Sequence, residues 1–189
     1  ITVEADSFAY MYSGTILGGT ATTAGNAVSV GQNSTGNGTF EVYGGEIKNG
    51  NVFLYPNAKM KVSGDAKIAQ LSMRSQLLSV GTLTADAKIK IENPLDVVFV
   101  ANTAENYNDV VGYVNAGYIA AYKKANEIKV TDGGLVVAKK PVGVFHCVCG
   151  AKTTQGQTCA SCGTAVVEWF AWPGASAVEN NGHYYLTAD

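Results

Sequence analysis

The sequence predicts an all-β fold, a short solenoid of the parallel β-helix type, and three observations carry that prediction. A phrase recurs along the first half of the chain: MYSGTI at residues 11–16, VYGGEI at 42–47 and VSGDAKI at 62–68. Apolar and polar residues alternate around these copies, the two-residue period of a half-buried strand. Glycine accounts for 22 of the 189 residues, with Thr, Ser, Asn and Ala filling much of the rest, a composition suited to turns and strands.

Each copy of the phrase sets an apolar residue (Met11, Val42, Val62), then one or two small residues with glycine, then an isoleucine. That is a strand, a tight bend and another strand. From Val42 to Val62 is 20 positions, from Val62 to Val80 is 18, and from Met11 to Val42 is 31. The longer gap holds GQNSTGNG (31–38), expected to protrude as a turn. Coils of about 20–25 residues with two or three short strands each fit a parallel β-helix. Phe40 and Val42 are expected on one side with Glu41 and Tyr43 on the other; Met60 and Val62 repeat this around Lys61. Further strands are expected at 27–30, 52–55, 77–80, 88–91 and 97–100, and helical periodicity is absent there. An antiparallel β-sandwich also spaces short strands regularly, and Asn49-Gly50 is one hairpin signal in its favour.

Residues 104–141 break the pattern. ENYNDVVGYVNAGYIAAYKK (105–124) is aromatic and irregular, with a helical turn expected around 108–113. Residues 127–131 and 135–140 read as a hairpin around Asp132-Gly133-Gly134. A solenoid needs its open end covered, because the last coil otherwise exposes apolar side chains and strand edges, so this stretch is expected to be a cap. Pro141 marks the boundary to the next segment.

All four cysteines lie within 16 residues, in FHCVCGAKTTQGQTCASCG (145–163). Cys159-Ala-Ser-Cys162-Gly163 has the form of a metal knuckle: two thiolates three apart share one ion, and glycine relieves the turn. The first arm, Cys147-Val-Cys149-Gly150, is one residue shorter. Two ligand sets follow, either Cys147, Cys149, Cys159 and Cys162, or His146 in place of Cys147. The four-cysteine set explains why all four sit together. Zinc in such a closed tetrahedral site is structural, folding a segment too small to build its own core. Two disulfides across the arms are the alternative, since a Cys147–Cys149 bridge closes too small a loop.

Charge and motif content exclude several functions. The formal net charge is −2, with 13 Lys+Arg against 15 Asp+Glu, and Arg74 is the only arginine. No basic field exists for nucleic acid. No apolar run reaches the roughly 18–20 residues of a membrane span. There is no Gly-x-Ser-x-Gly elbow, phosphate loop or HExxH, and His146 and His183 are the only histidines, so a Ser/His/Asp triad is not expected. Glu41, Glu46, Asp65 and Asp86 are the carboxylates a glycan-cleaving β-helix would use; among Lys48, Lys61 and Lys67 they read as solvated surface. Tyr10, Tyr12, Tyr43 and Tyr55 are candidate glycan-facing aromatics on one outer face, Tyr12 and Tyr43 at matching repeat positions. Stacked tyrosines also stabilise neighbouring strands without any ligand. Trp169, Trp172 and Pro173 are expected to pack against the cysteine segment. The chain opens at Ile1 and closes in NGHYYLTAD (181–189), and is read as a fragment of a longer polypeptide.

The repeats, the CxCG…CxxCG cluster, VVEWFAWPG (166–174) and HYYLTAD (183–189) together resemble repetitive, adhesin-like cell-surface proteins of Gram-positive bacteria. The resemblance implies right-handed β-helix segments alternating with cysteine-rich links, an extracellular location at the bacterial surface, and neighbouring modules in the same polypeptide. It assigns no ligand or activity. The expected organisation is a right-handed parallel β-helix at 1–103, a cap at 104–141, a zinc-ribbon-like four-cysteine link at 142–175 and the start of a following module at 176–189. The expected function is a non-catalytic structural or adhesive segment that touches a host or glycan surface. The alternatives are a carbohydrate-binding module attached to a glycan-degrading enzyme and, third, a polysaccharide-acting β-helix enzyme fragment.

Overall fold

The computed structural model describes residues 1–19, 26–31, 36–74, 76–140, 161 and 163, with the backbone of 144–147, 152–153 and 184–187. The chain divides into two compact units, Ile1–Lys140 and Pro141–Asp189.

The first unit is almost entirely strand. In chain order it runs β1 (Thr2–Val3), β2 (Phe8–Met11), β3 (Thr15–Leu17), β4 (Val28–Val30), β5 (Thr39–Val42), β6 (Glu46–Lys48), β7 (Val52–Leu54), β8 (Lys59–Gly64), β9 (Lys67–Ser72), β10 (Leu78–Leu83), β11 (Lys88–Glu92) and β12 (Val98–Ala101). A helix, α1 (Tyr107–Asn115), then precedes β13 (Ile119–Ala121), β14 (Asn126–Thr131) and β15 (Gly134–Lys139). The expected all-β class holds, with one short helix among the described residues.

Two parallel sheets contain β1–β11 and β13. One has the order β10-β8-β5-β2. The other runs β1-β4-β7-β9-β11-β13, with β3 paired to β6 and β6 to β9. Met11 pairs with Val42, Val42 with Val62 and Val62 with Val80, so the repeat spacings of the sequence are the register spacings of the sheet. A second aligned row is Ile16, Ile47, Ile68, Ile89 and Ile119. A third is Val28, Val52, Leu71, Ile91 and Ala121. All of these except Ile16 and Ala121 are buried. Each such side chain contributes about 1.5–3 kcal/mol of hydrophobic free energy, so these rows make a large contribution to stability.

No pairing among β1–β11 is antiparallel, so the sandwich alternative does not describe this region. Asn49-Gly50 sits between β6 and β7, which pair with other strands rather than with each other; Asn49 turns the corner with φ +55. The glycines of the recurring phrase have a common reason. Gly14, Gly45 and Gly64 take φ +90, +88 and +61, a left-handed bend that L side chains rarely adopt. At Gly45 a Cβ would also stand 2.7 Å from both the Gly14 oxygen and Met11 Cε.

Beyond β11 the pairing changes. β12, β15 and β14 form an antiparallel sheet in that order, with β14 and β15 joined by the expected hairpin through Asp132 and Gly133. The expected helical turn is the nine-residue α1, whose Val110 is fully buried. The Asn106 side-chain amide donates to the Val80 carbonyl and ties the start of α1 to β10. Phe99, Val100, Leu135 and Val137 join the same apolar core as the stacked rows. The protruding turn expected at 31–38 lies mostly outside the described residues, which omit 32–35.

In the second unit β16 (Val144–Cys147) pairs antiparallel with β17 (Lys152–Thr153) and with β18 (Tyr184–Thr187). Cys147 lies opposite Tyr184. The YYLT phrase therefore forms a sheet with the strand that leads into the cysteine cluster.

Candidate functional site

Three surface features of the first unit carry polar or aromatic chemistry. The first is built on β2. Its alternation turns Ala9 and Met11 inward and leaves Phe8, Tyr10 and the following Tyr12 exposed at 67%, 53% and 69%. Tyr43 follows β5 as Tyr12 follows β2, and its N–H donates to the Met11 carbonyl at 2.8 Å. The Tyr12 and Tyr43 rings stack at 5.1 Å and 7°, and Tyr10 stacks on Tyr12 at 6.4 Å and 20°. Lys61 Nζ stands 5.9 Å from the Tyr43 ring centre. The Tyr43 hydroxyl donates to Glu41. That bond favours the protonated phenol, and with partial desolvation and the Glu41 charge it pushes the Tyr43 pKa up to about 12. Three of the four candidate aromatics are thus together, stacked on one another while Tyr10 and Tyr12 stay exposed.

Tyr55 is elsewhere. It follows β7, which belongs to the other sheet, and meets Phe53 edge-on at 5.0 Å and 77°. Phe53, Tyr55, Pro56 and Arg74 line a cavity of 440 Å³. The Arg74 guanidinium carbon stands 5.3 Å from the Phe53 ring centre, and no acidic side chain among the described residues pairs with it. Neither Phe53 nor Arg74 was singled out as a site residue by the sequence pattern. The one available signal was that the chain's single arginine lies on the repeat region.

The third feature is a chain of polar side chains crossing the parallel strands at one bend. Asn26 and Asn51 exchange bonds reciprocally: each backbone N–H donates to the other's Oδ1, at 3.1 and 2.7 Å. Asn51 Nδ2 donates to Ser72 Oγ at 3.2 Å, and Ser72 Oγ donates to Glu92 at 2.9 Å. Gln70 donates to the same carboxylate at 2.7 Å, and Lys123 Nζ lies 3.2 Å from its other oxygen. Desolvation alone raises the Glu92 pKa, but the bonds from Gln70, Ser72 and Lys123 outweigh it and hold the carboxyl below its usual range.

None of the acidic candidates is buried. Glu41 is held by Tyr43, and Glu46 is paired with Lys48 at 2.7 Å. Asp65 and Asp86 are exposed at the bends that precede β9 and β11, neighbouring bends joined by bonds from the Thr84 N–H to the Gly64 carbonyl at 2.9 Å and from the Lys88 N–H to the Ala66 carbonyl at 3.0 Å. Cys149, Cys159, Cys162, His183, Trp169, Trp172 and Pro173 lie outside the described residues, as do the side chains of His146 and Cys147. Gly163, after the second knuckle, takes φ +71. Among the described residues no three His, Cys, Asp or Glu side chains converge to hold a metal, and no helix is long and apolar enough to cross a membrane. In comparisons with family models, curated proteins and solved structures, nothing matches this chain.

Proposed function

We propose that residues 1–140 form a short right-handed parallel β-helix closed by a cap, and that the chain is a non-catalytic structural or adhesive segment of a bacterial surface protein. The observation that carries this reading is the in-register parallel pairing, repeated across β2, β5, β8 and β10. Right-handedness follows from the general preference of parallel crossovers. β12, α1, β14 and β15 supply the apolar cover that a last coil needs. A protein assembled this way extends by stacking, and its side faces suit projection and contact more than catalysis. Carboxylates that are each exposed or held by a neighbour favour this reading over a catalytic one.

The second unit is proposed as a zinc-stabilised link held by Cys147, Cys149, Cys159 and Cys162. Cysteine spacing and the left-handed Gly163 after the second knuckle support it. Zinc there would supply folding free energy, not reactivity.

Surface location is tested with antibodies raised against the chain. Labelling of intact source cells, removed by brief protease treatment, is the expected result; labelling only after permeabilisation refutes it. The catalytic alternative predicts cleavage of some polysaccharide in a broad panel. Activity abolished by Glu41→Gln would overturn the non-catalytic reading.

A further inference from the structure

The cavity beside β7 is of a different kind from the tyrosine stack. We propose that Phe53, Tyr55, Pro56 and Arg74 form a binding site for a carboxylated sugar, the hexuronate unit of an acidic glycan. A spacer has no need of such a site, so the proposal goes beyond the surface-segment reading and stands if that reading fails.

The chemistry is set by Arg74. Its guanidinium lies over the Phe53 ring, which is only 8% exposed, so the cation covers the ring and gains a cation–π contact. A guanidinium held over a ring face keeps its in-plane N–H donors free, and that planar fork matches the two oxygens of a carboxylate. No acid among the described residues takes up these donors. Tyr55 supplies the second half. It meets Phe53 in a T-shaped contact, which occupies at most one of its two faces. With the exposed Pro56 beside it, it offers an apolar surface to the C–H face of a pyranose. Phe53 also has small neighbours, since it is in register with Ser29 on one side and Ser72 on the other. The volume of 440 Å³ lies in the usual small-ligand range of about 300–1,000 Å³.

Other ligands fit less well. A phosphate group asks for several cations or a row of backbone donors, and here one cation stands on a chain of net charge −2. A neutral sugar would leave the arginine fork unpaired.

The experiment uses the intact chain and a panel of galacturonate and glucuronate oligosaccharides, with a sialate oligosaccharide as a carboxylated sugar that is not a hexuronate, read by saturation-transfer NMR and calorimetry. At least one hexuronate oligosaccharide is expected to bind about tenfold more tightly than its neutral counterpart, and binding of sialate alone overturns the hexuronate assignment. Arg74→Gln should weaken binding by a similar factor, Tyr55→Ala should weaken it, and Tyr12→Ala should leave it unchanged. Thermal melts check that each variant is folded; both sites are at the surface. Binding that is equal for acidic and neutral sugars, unchanged in Arg74→Gln, or absent across the panel overturns the proposal. Equally tight binding of benzoate overturns the sugar assignment and leaves a general carboxylate site.

Discussion

Replacing Ile68 by alanine tests the aligned aliphatic rows directly. Ile68 is 1% exposed and sits in register between Ile47 on β6 and Ile89 on β11. The substitution removes three carbons from a closed row with neighbours on both sides. A buried Ile→Ala change costs about 2–5 kcal/mol, and the flanking rows leave little room for collapse, so a value near 3.5 kcal/mol is expected. At about 2–4 °C per kcal/mol for a chain of this size, the thermal midpoint should fall by about 7–14 °C. Ile16 provides the internal comparison: it is half-buried and, among the described residues, is in register with one member of the row, Ile47. Ile16→Ala should cost about half as much. Leu17, the next residue, is 61% exposed, and Leu17→Ala should stay within about 0.5 kcal/mol. Urea denaturation and thermal melts, followed by far-ultraviolet circular dichroism, measure all three. A loss below about 1 kcal/mol at Ile68, or an equal loss at Ile16, would refute the reasoning about stacked rows.

Three further outcomes are expected. The Glu92 carboxyl is held below its usual range, so its contribution to stability is present above the ordinary carboxylate pKa and is lost as pH falls through the depressed folded value. Glu92→Gln should therefore flatten the acid limb of a stability–pH curve, and an unchanged limb counts against the polar chain as a stabilising element. Tyr43 behaves in the opposite sense. Its pKa is pushed up to about 12, so the protonated phenol is favoured in the fold, and the associated stability is lost as pH rises from the ordinary tyrosine value toward 12. Absorbance titration should show a late-titrating component that disappears in Tyr43→Phe and shifts down in Glu41→Gln. For the cysteine segment, a strong chelator should release zinc in proportion to protein and expose reactive thiols, and Cys159→Ala should abolish retention. No zinc and no free thiols would establish disulfides instead.

The strand register was the most legible property of the sequence. Met11, Val42, Val62 and Val80 are similar apolar residues at the same place in each repeat, and a parallel ladder requires similar neighbours along its length. The hairpin of β14 and β15 was equally plain, because Asp-Gly-Gly between two apolar runs has few other outcomes. Side-chain partnerships across bends were less visible. Alternation tells which residues face outward but not which sheet they belong to, and the bends decide that. Tyr43 and Tyr55 both follow strands and look equivalent in sequence, yet they end on different sheets. Arg74 and Phe53 are 21 positions apart and share no motif. The Asn51–Ser72–Glu92 chain uses a different residue type at every step, so no repeat signals it.

The pairing of each strand with its counterpart one repeat away determines how such a chain tolerates changes in length. Met11 and Val42 are 31 positions apart, and Val42 and Val62 are 20 apart, yet both pairs hold the same register. Additional residues between strands therefore leave the ladder intact, whereas one residue inserted within a strand would turn its apolar set outward. Removing a whole repeat would simply bring Met11 against Val62. Duplication and deletion in units of a repeat are thus nearly silent for folding, and a lineage of such chains can drift in length while its inward-facing residues stay under constraint.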